Sequence, residues 1–361
     1  MSKTWIFNDL HLGVQRAGGT TPATADALRE YGHRKHAQLL GLASDGDTII
    51  INGDLTDTFN IDLGQAIEVY SVVACWLTAN PHGEVVWATG NHDLSKDSSK
   101  LGTVAFVGKL LEGMFSGRFH LVTRATRWGE DFYIIPHVAN QDLFDLELDR
   151  VPDNVKYVLL HCNYDNTFAG QSDHSLNISR DQAKALVKSG KTLVLGHEHQ
   201  GRTLMNDKVV IVGNQFPASV SDCLSHGDAQ ADGFKYALVI AGDDMELVPT
   251  WNPTDRDGGF REISWRDLAS LPDHFPMFVR VTGTAETAEA PDVIKAISTL
   301  RQRCDAYVIT NAVKVDAVDG AEEIEVSIEE VRSVDVIELL LGMLDEEQQA
   351  VVRKLMKEEQ Q

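Results

Sequence analysis

The chain has 361 residues, 43% hydrophobic and 24% charged, which suits a soluble protein with one large core and room for an appendage. No apolar run approaches the ~20 residues of a membrane helix, the opening residues lack a signal-peptide pattern, and four scattered cysteines argue against a disulfide framework or thiolate zinc site. The expected compartment is the cytoplasm, and a net charge of −22, half of it from Asp255 onward, argues on its own against an unaided grip on nucleic acid.

Short apolar runs at Trp5–Phe7, Thr48–Ile51, Val85–Ala88, Tyr157–Leu160, Leu193–Leu195 and Val209–Val212 read as buried strands. Ala25–Leu42 and Leu63–Thr78 have helical spacing between them, so the first two thirds predict an α/β layered fold. Asn252-Pro253 and Asp257-Gly258-Gly259 mark a linker. Beyond it, strands at Arg261–Trp265 and Phe278–Thr282, a helix at Pro291–Arg303 and a strand at Tyr307–Val315 predict a small α+β module. From Ser327 two short helices follow, with Ser327/Glu330 and Asp345/Gln348 at capping spacing. The expected divisions are residues 1–252, 260–320 and 327–361.

Five blocks of ligand-type residues follow the apolar runs: Asn8-Asp9-Leu10-His11-Leu12-Gly13, Asn52-Gly53-Asp54, Gly90-Asn91-His92-Asp93, His161, and Gly196-His197-Glu198-His199. Singly, each block could be a turn or a loop. In this order, each after a strand, they converge at the carboxyl edge of a sheet, where open α/β folds hold their sites. Ligands at i and i+2 can share one side of an extended segment, and the glycines before Asp54, Asn91 and His197 permit backbone bends. Carboxylate, amide and imidazole donors suit Mn²⁺, Fe²⁺ or Zn²⁺. His137, after Tyr133-Ile134-Ile135-Pro136, is a strand-end residue, whereas His33, His36, His82, His120, His174, His226 and His274 lack ligand spacing and read as surface or packing residues.

The ordered blocks resemble the calcineurin-like metallophosphoesterase superfamily, and Asp-Leu-His-Leu-Gly resembles its SbcD/Mre11-type DNA-nuclease branch. Gly213-Asn214-Gln215-Phe216-Pro217 is similar to the Gly-Ser-x-x-Pro stretch of those nucleases, and the region from Ser327 is similar to the bacterial C-terminus. The Gly- and Thr-rich insertion Val14–Thr24 resembles phage-encoded relatives. The resemblance implies a two-sheet sandwich flanked by helices, a capping domain and a helical tail. It assigns one metal to Asp9, His11, Asp54 and His199 and a second to Asp54, Asn91, His161 and His197. His92 becomes the catalytic imidazole and Asp93 its orienting carboxylate. Asp57 departs from the histidine that archaeal and eukaryotic members carry at that position.

By that resemblance the chemistry would be Mn²⁺-dependent 3′-to-5′ exonuclease action on duplex DNA and endonuclease action on single strands. The partners implied are DNA, an SbcC/Rad50-like ATPase that would dock on the tail, and a second copy of the chain. A protein Ser/Thr phosphatase is disfavoured because no Asp-Arg-Gly follows the second block. A small-nucleotide phosphodiesterase would have no use for the region after Asp255, and a non-enzymatic scaffold would not keep every ligand.

Overall fold

Alternation along the strands decides where the layers lie. In the computed structural model, which describes residues 2–13, 22–95, 100–166, 175–218, 234–251, 259–270, 277–302 and 306–316, Ile6, Ile50 and Val86 point to one face of a sheet. Their neighbours Phe7, Ile49, Ile51, Val85 and Trp87 point to the other. That sheet holds β1 (Thr4–Phe7), β2 (Thr48–Asn52), β3 (Glu84–Ala88) and β4 (Phe119–Val122) in parallel. A second holds β5 (Thr126–Trp128), β6 (Phe132–Ile135), β7 (Tyr157–His161), β10 (Thr192–Gly196), β11 (Arg202–Leu204) and β12 (Val209–Ile211) in the order β11-β12-β10-β7-β6-β5. The pair β8 (Asn163–Tyr164) and β9 (Asn177–Ile178) lies outside both. The antiparallel strands β13 (Lys235–Ala241) and β14 (Asp244–Trp251) extend the first sheet beyond β1.

The two sheets face each other through a wholly apolar layer that joins Ile6, Ile50, Val86 and Leu238 to Ile134, Leu159, Val194 and Val210. Strands apolar on both sides need cover on both. On the first sheet it comes from α1 (Pro22–Leu40), α2 (Leu63–Ala79) and α3 (Thr103–Met114), which bury Leu28, Leu39, Val69, Val73 and Leu111. On the second, α4 (Gln141–Leu148) and α5 (Arg180–Lys188) bury Phe144, Leu148 and Ala183. Asp62, Asn140 and Ser179 start α2, α4 and α5 by accepting from the backbone N–H of Gln65, Leu143 and Gln182. The expected α/β two-sheet sandwich is therefore what forms.

Residues 1–314 make one compact unit and 315–361 a second. After the expected linker, whose residues 252–258 lie outside those described, β15 (Gly259–Ser264), β16 (Met277–Thr282) and β18 (Ala306–Asn311) form a parallel sheet. The short β17 (Thr284–Glu286) leads towards α6 (Ala290–Arg301). This module has its own core of Trp265, Val279, Val281, Ile297 and Leu300. It meets the sandwich through aromatic rings: Phe260 and Phe278 lie 5.6 and 5.5 Å from Tyr31 of α1. The expected tail, 327–361, lies outside the described residues. No helix among them is long and apolar enough to cross a membrane.

Candidate metal centre

All five blocks leave the carboxyl ends of parallel strands. Asp9 and His11 follow β1, Asp54 follows β2, Asn91 and His92 follow β3, His161 ends β7, and His197 and His199 follow β10. The two sheets present these ends along one edge of the sandwich. There Asn52 donates from Nδ2 to the Leu160 carbonyl at 3.0 Å, and His161 donates from Nδ1 to the Asn52 carbonyl at 3.0 Å. That second bond leaves His161 Nε2 facing Asp54 Oδ2 at 3.3 Å and Asn91 Oδ1 at 3.0 Å. His197 Nδ1 stands 3.0 Å from the same Asn91 oxygen. On the other side of Asp54, His11 Nε2 lies 3.9 Å from Asp54 Oδ2 and 3.0 Å from His199 Nε2.

Two groups of ligand atoms result, Asp9–His11–His199 and Asp54–His161–His197, each within 4.8 Å, and both are geometries that could hold a metal ion. His92 falls within the same reach of His11 and Asp54. The backbone is bent to make this possible. Asp9, His11, Asp54 and His197 all adopt left-handed φ, at 51°, 45°, 47° and 84°. Such conformations cost roughly 1–3 kcal/mol each and persist where surrounding structure imposes them. The run after β1 is bonded to the run after β2 by Asp9 N to Gly53 O, His11 N to Asp54 O and Leu12 N to Leu55 O.

The profile of the calcineurin-like phosphoesterases matches residues 2–246, which include every one of these side chains. The chain belongs to the calcineurin-like phosphoesterase family. Two solved structures of a cold-active protein-tyrosine phosphatase, one of them from a psychrophilic Shewanella species, are each 12% identical to it. They align over 69% and 70% of this chain and 80% of their own, with TM-scores of 0.33 and 0.32. No curated protein matches.

The donor chemistry of this calcineurin-like phosphoesterase fits divalent cations. Asp9, Asp54, Asp57 and Asp93 are all buried to within 2% of full enclosure, and buried carboxylates need compensating positive charge. Burial raises the pKa of Asp9, against the pull of His161. Burial also opposes ionisation of Asp54, but His161 and His11 outweigh it and hold this carboxyl well below its usual range. His161 is disfavoured as a cation by burial yet pushed up to about 10 by Asp54, while burial and His161 push His197 down to about 3. Positive charge is thus favoured between the carboxylates, with a neutral imidazole beside it.

Two supporting residues, Asp93 and Asp57, lie differently from expectation. Asp93 does not orient His92: its oxygens accept from Gly90 N at 2.8 Å, Thr56 N and Oγ1 at 3.0 Å, and Leu55 N at 3.4 Å. It braces the loops carrying Asp54 and Asn91 instead. His92 donates from Nδ1 to the backbone carbonyl of Asp57 at 2.8 Å. Asp57, read from sequence as a doubtful position, also brings Oδ1 within 3.4 Å of His11 Nδ1. Its place three residues beyond Asp54 was the available signal.

The glycines matter in a different way from that expected. Of Gly53, Gly90 and Gly196, Gly53 alone has positive φ, at 93°. At Gly90 the reason is space, because a Cβ would stand 2.1 Å from Asp54 Oδ1; at Gly196 it would stand 2.7 Å from the Asn52 carbonyl. In Gly213-Asn214-Gln215-Phe216-Pro217, Gln215 accepts from Asn8 N at 2.6 Å and so secures the end of β1. His137 donates its backbone N–H to the Thr89 carbonyl at 2.8 Å, and its ring lies close enough to His197 to add to the effects of burial and His161 in disfavouring protonation there.

Proposed function

We propose that this protein is a divalent-metal-dependent DNA nuclease of the SbcD/Mre11 type. Asp9, His11, Asp54 and His199 hold one cation, and Asp54, Asn91, His161 and His197 hold the other. The observation that carries the reading is the position of Asp54, whose Oδ2 faces His161 on one side and His11 on the other. Oxygen and imidazole donors without thiolate suit Mn²⁺, Fe²⁺ or Zn²⁺, and the SbcD/Mre11 resemblance selects Mn²⁺ among them. Bound cations of this kind neutralise a phosphate and acidify water.

The chain's own groups supply the rest. Asn91, His92, His197 and His199 are the partly exposed members of the cluster, so a phosphodiester would enter from their side. Donation from His92 Nδ1 to Asp57 directs Nε2 toward the substrate, and a cationic His92 can pass its Nε2 proton to the leaving oxygen. The His92 backbone N–H donates to Asp54 Oδ1 at 2.9 Å, which ties this imidazole to the carboxylate between the groups. A nuclease reading is supported by the Asp-Leu-His-Leu-Gly block, and the module after β14, which packs on Tyr31 of α1, would serve as its cap.

The partners proposed are duplex and single-stranded DNA, a second copy of the chain, and an ATPase that supplies the basic grip a chain of charge −22 lacks. For the second copy there is a candidate face. Leu63 and Ile67 of α2 and Phe106, Leu110 and Met114 of α3 are 44–69% exposed, and Tyr70 Oη lies 2.6 Å from Met114 Sδ, joining the two stripes. Contiguous apolar surface of this kind suits an isologous contact.

The test is cleavage of labelled duplex, single-stranded and hairpin DNA with Mn²⁺, Mg²⁺ or Zn²⁺, beside bis(p-nitrophenyl) phosphate and p-nitrophenyl phosphate. Mn²⁺-dependent DNA cleavage with little turnover of the monoester is expected. Rapid monoester hydrolysis with intact DNA would replace the nuclease with a phosphatase.

A further inference from the structure

His197 and His199 follow β10 with ring nitrogens turned to the centre, and one side chain stands between them in the chain. That side chain is Glu198, an acid of the type that binds metals, yet both its oxygens are engaged elsewhere. Oε1 accepts the backbone N–H of Tyr164 at 2.7 Å, and Oε2 pairs with Arg202 at the start of β11. Tyr164 stands three residues beyond His161, in the strand that continues from it. One carboxylate therefore spans the gap between the His161 segment and the loop bearing His197 and His199.

We propose that Glu198 is a positioning residue that sets the spacing between these histidines, with Arg202 keeping its carboxylate turned away from the cations. The inference rests on the reading of His161, His197 and His199 as metal ligands. The loop needs such an anchor because His197 has φ 84°, a conformation that relaxes unless it is held. Further restraints include the Asp9 carboxylate, which accepts His197 N at 2.9 and 3.0 Å, and the His199 carbonyl, which accepts Lys235 Nζ at 3.1 Å and Asn214 N at 3.4 Å. Asp9 and Lys235 act from the first sheet, and Asn214 follows β12 of the second. Glu198 ties the loop to the segment that carries His161. Without it the Tyr164 N–H loses its acceptor, and the two ligand segments lose their common reference.

The experiment is Mn²⁺ titration by calorimetry on the full chain, comparing wild type, H197A, E198A, E198D and E198Q, with melting in EDTA as a check on folding. E198Q keeps an acceptor at Oε1 and should bind within about threefold of wild type. E198A, which has no acceptor, and E198D, one methylene too short to reach Tyr164, should bind 10- to 100-fold more weakly, the range for residues supporting metal ligands. Their melting in EDTA should move little, which a purely structural role would not allow. Should E198A fail to fold, E198D carries the test. Wild-type affinity in E198D, or equal weakening in E198Q and E198D, overturns the positioning role. Wild-type affinity in H197A would instead overturn the metal-ligand reading itself.

Discussion

Asp54 and His92 lie one hydrogen bond apart, yet their removal should have different consequences. Asp54→Ala deletes the carboxylate that both ligand groups face, so metal content measured by mass spectrometry and DNA cleavage should fall together. His92→Ala should lower cleavage about 10²- to 10⁴-fold, the span of general acid–base contributions, with metal content retained because His92 lies outside both proposed ligand sets. Loss of metal from His92→Ala would place that imidazole among the ligands. Asp57 supplies a third contrast. Its side chain faces His11, so Asp57→Ala should weaken Mn²⁺ binding by 10- to 100-fold, as for other groups that orient ligands. Unchanged affinity would leave Asp57 with its backbone role alone.

Among the helices, α1 holds the least expected chemistry. His36 is fully buried, and neither ring nitrogen has a hydrogen-bond partner among the described residues. Burial, with a further push from His33, lowers its pKa from 6.5 to about 3. The unfolded chain binds a proton there below pH 6.5, whereas the folded chain refuses one until about pH 3. Its stabilising contribution is therefore complete above pH 6.5 and lost as pH falls through that window, by roughly 1–2 kcal/mol per unit. In EDTA, urea unfolding of wild type should weaken between pH 7.5 and 5.0 by about 2 kcal/mol more than that of His36→Leu; identical slopes would contradict the assignment. On α2 and α3 the outward apolar stripes make a separate forecast. Leu110→Glu with Met114→Glu should shift sedimentation from dimer to monomer without altering hydrolysis of bis(p-nitrophenyl) phosphate. A wild-type chain already monomeric at micromolar concentration would remove the second copy from the proposal.

For the molecule as a whole, aromatic rings among the described residues couple the module after β14 to the sandwich. Phe260 and Phe278 pack on each other at 4.8 Å and on Tyr31, and both belong to the core that lies under α1. Phe278→Ala should cost about 3–5 kcal/mol, the usual range for a buried phenylalanine. It should also depress duplex cleavage more than hydrolysis of a small phosphodiester, since the chemistry lies at the strand ends and the module's proposed task is to position DNA. Equal loss on both substrates would reduce the module to a stabiliser.

The amino-acid sequence by itself determined the α/β layering and the residues gathered at its edge, for a local reason, while the two-sheet arrangement was implied by the family resemblance. Buried strands announce themselves as apolar runs, and the residues next in the chain must lie at the carboxyl end of each strand. Asp9, Asp54, Asn91, His161 and His197 could therefore be placed together before their distances were known. Roles that depend on contacts between distant segments were not legible. Asp93 meets Thr56, 37 residues away, rather than its neighbour His92. Asp57 gains its place only because β1 and β2 lie side by side and bring His11 to it. The space needed at Gly90 and Gly196 exists because other strands press against them. Burial of His36 likewise depends on how α1 lies against its neighbours, since a histidine's protonation depends on its surroundings, and only the tertiary structure supplies those.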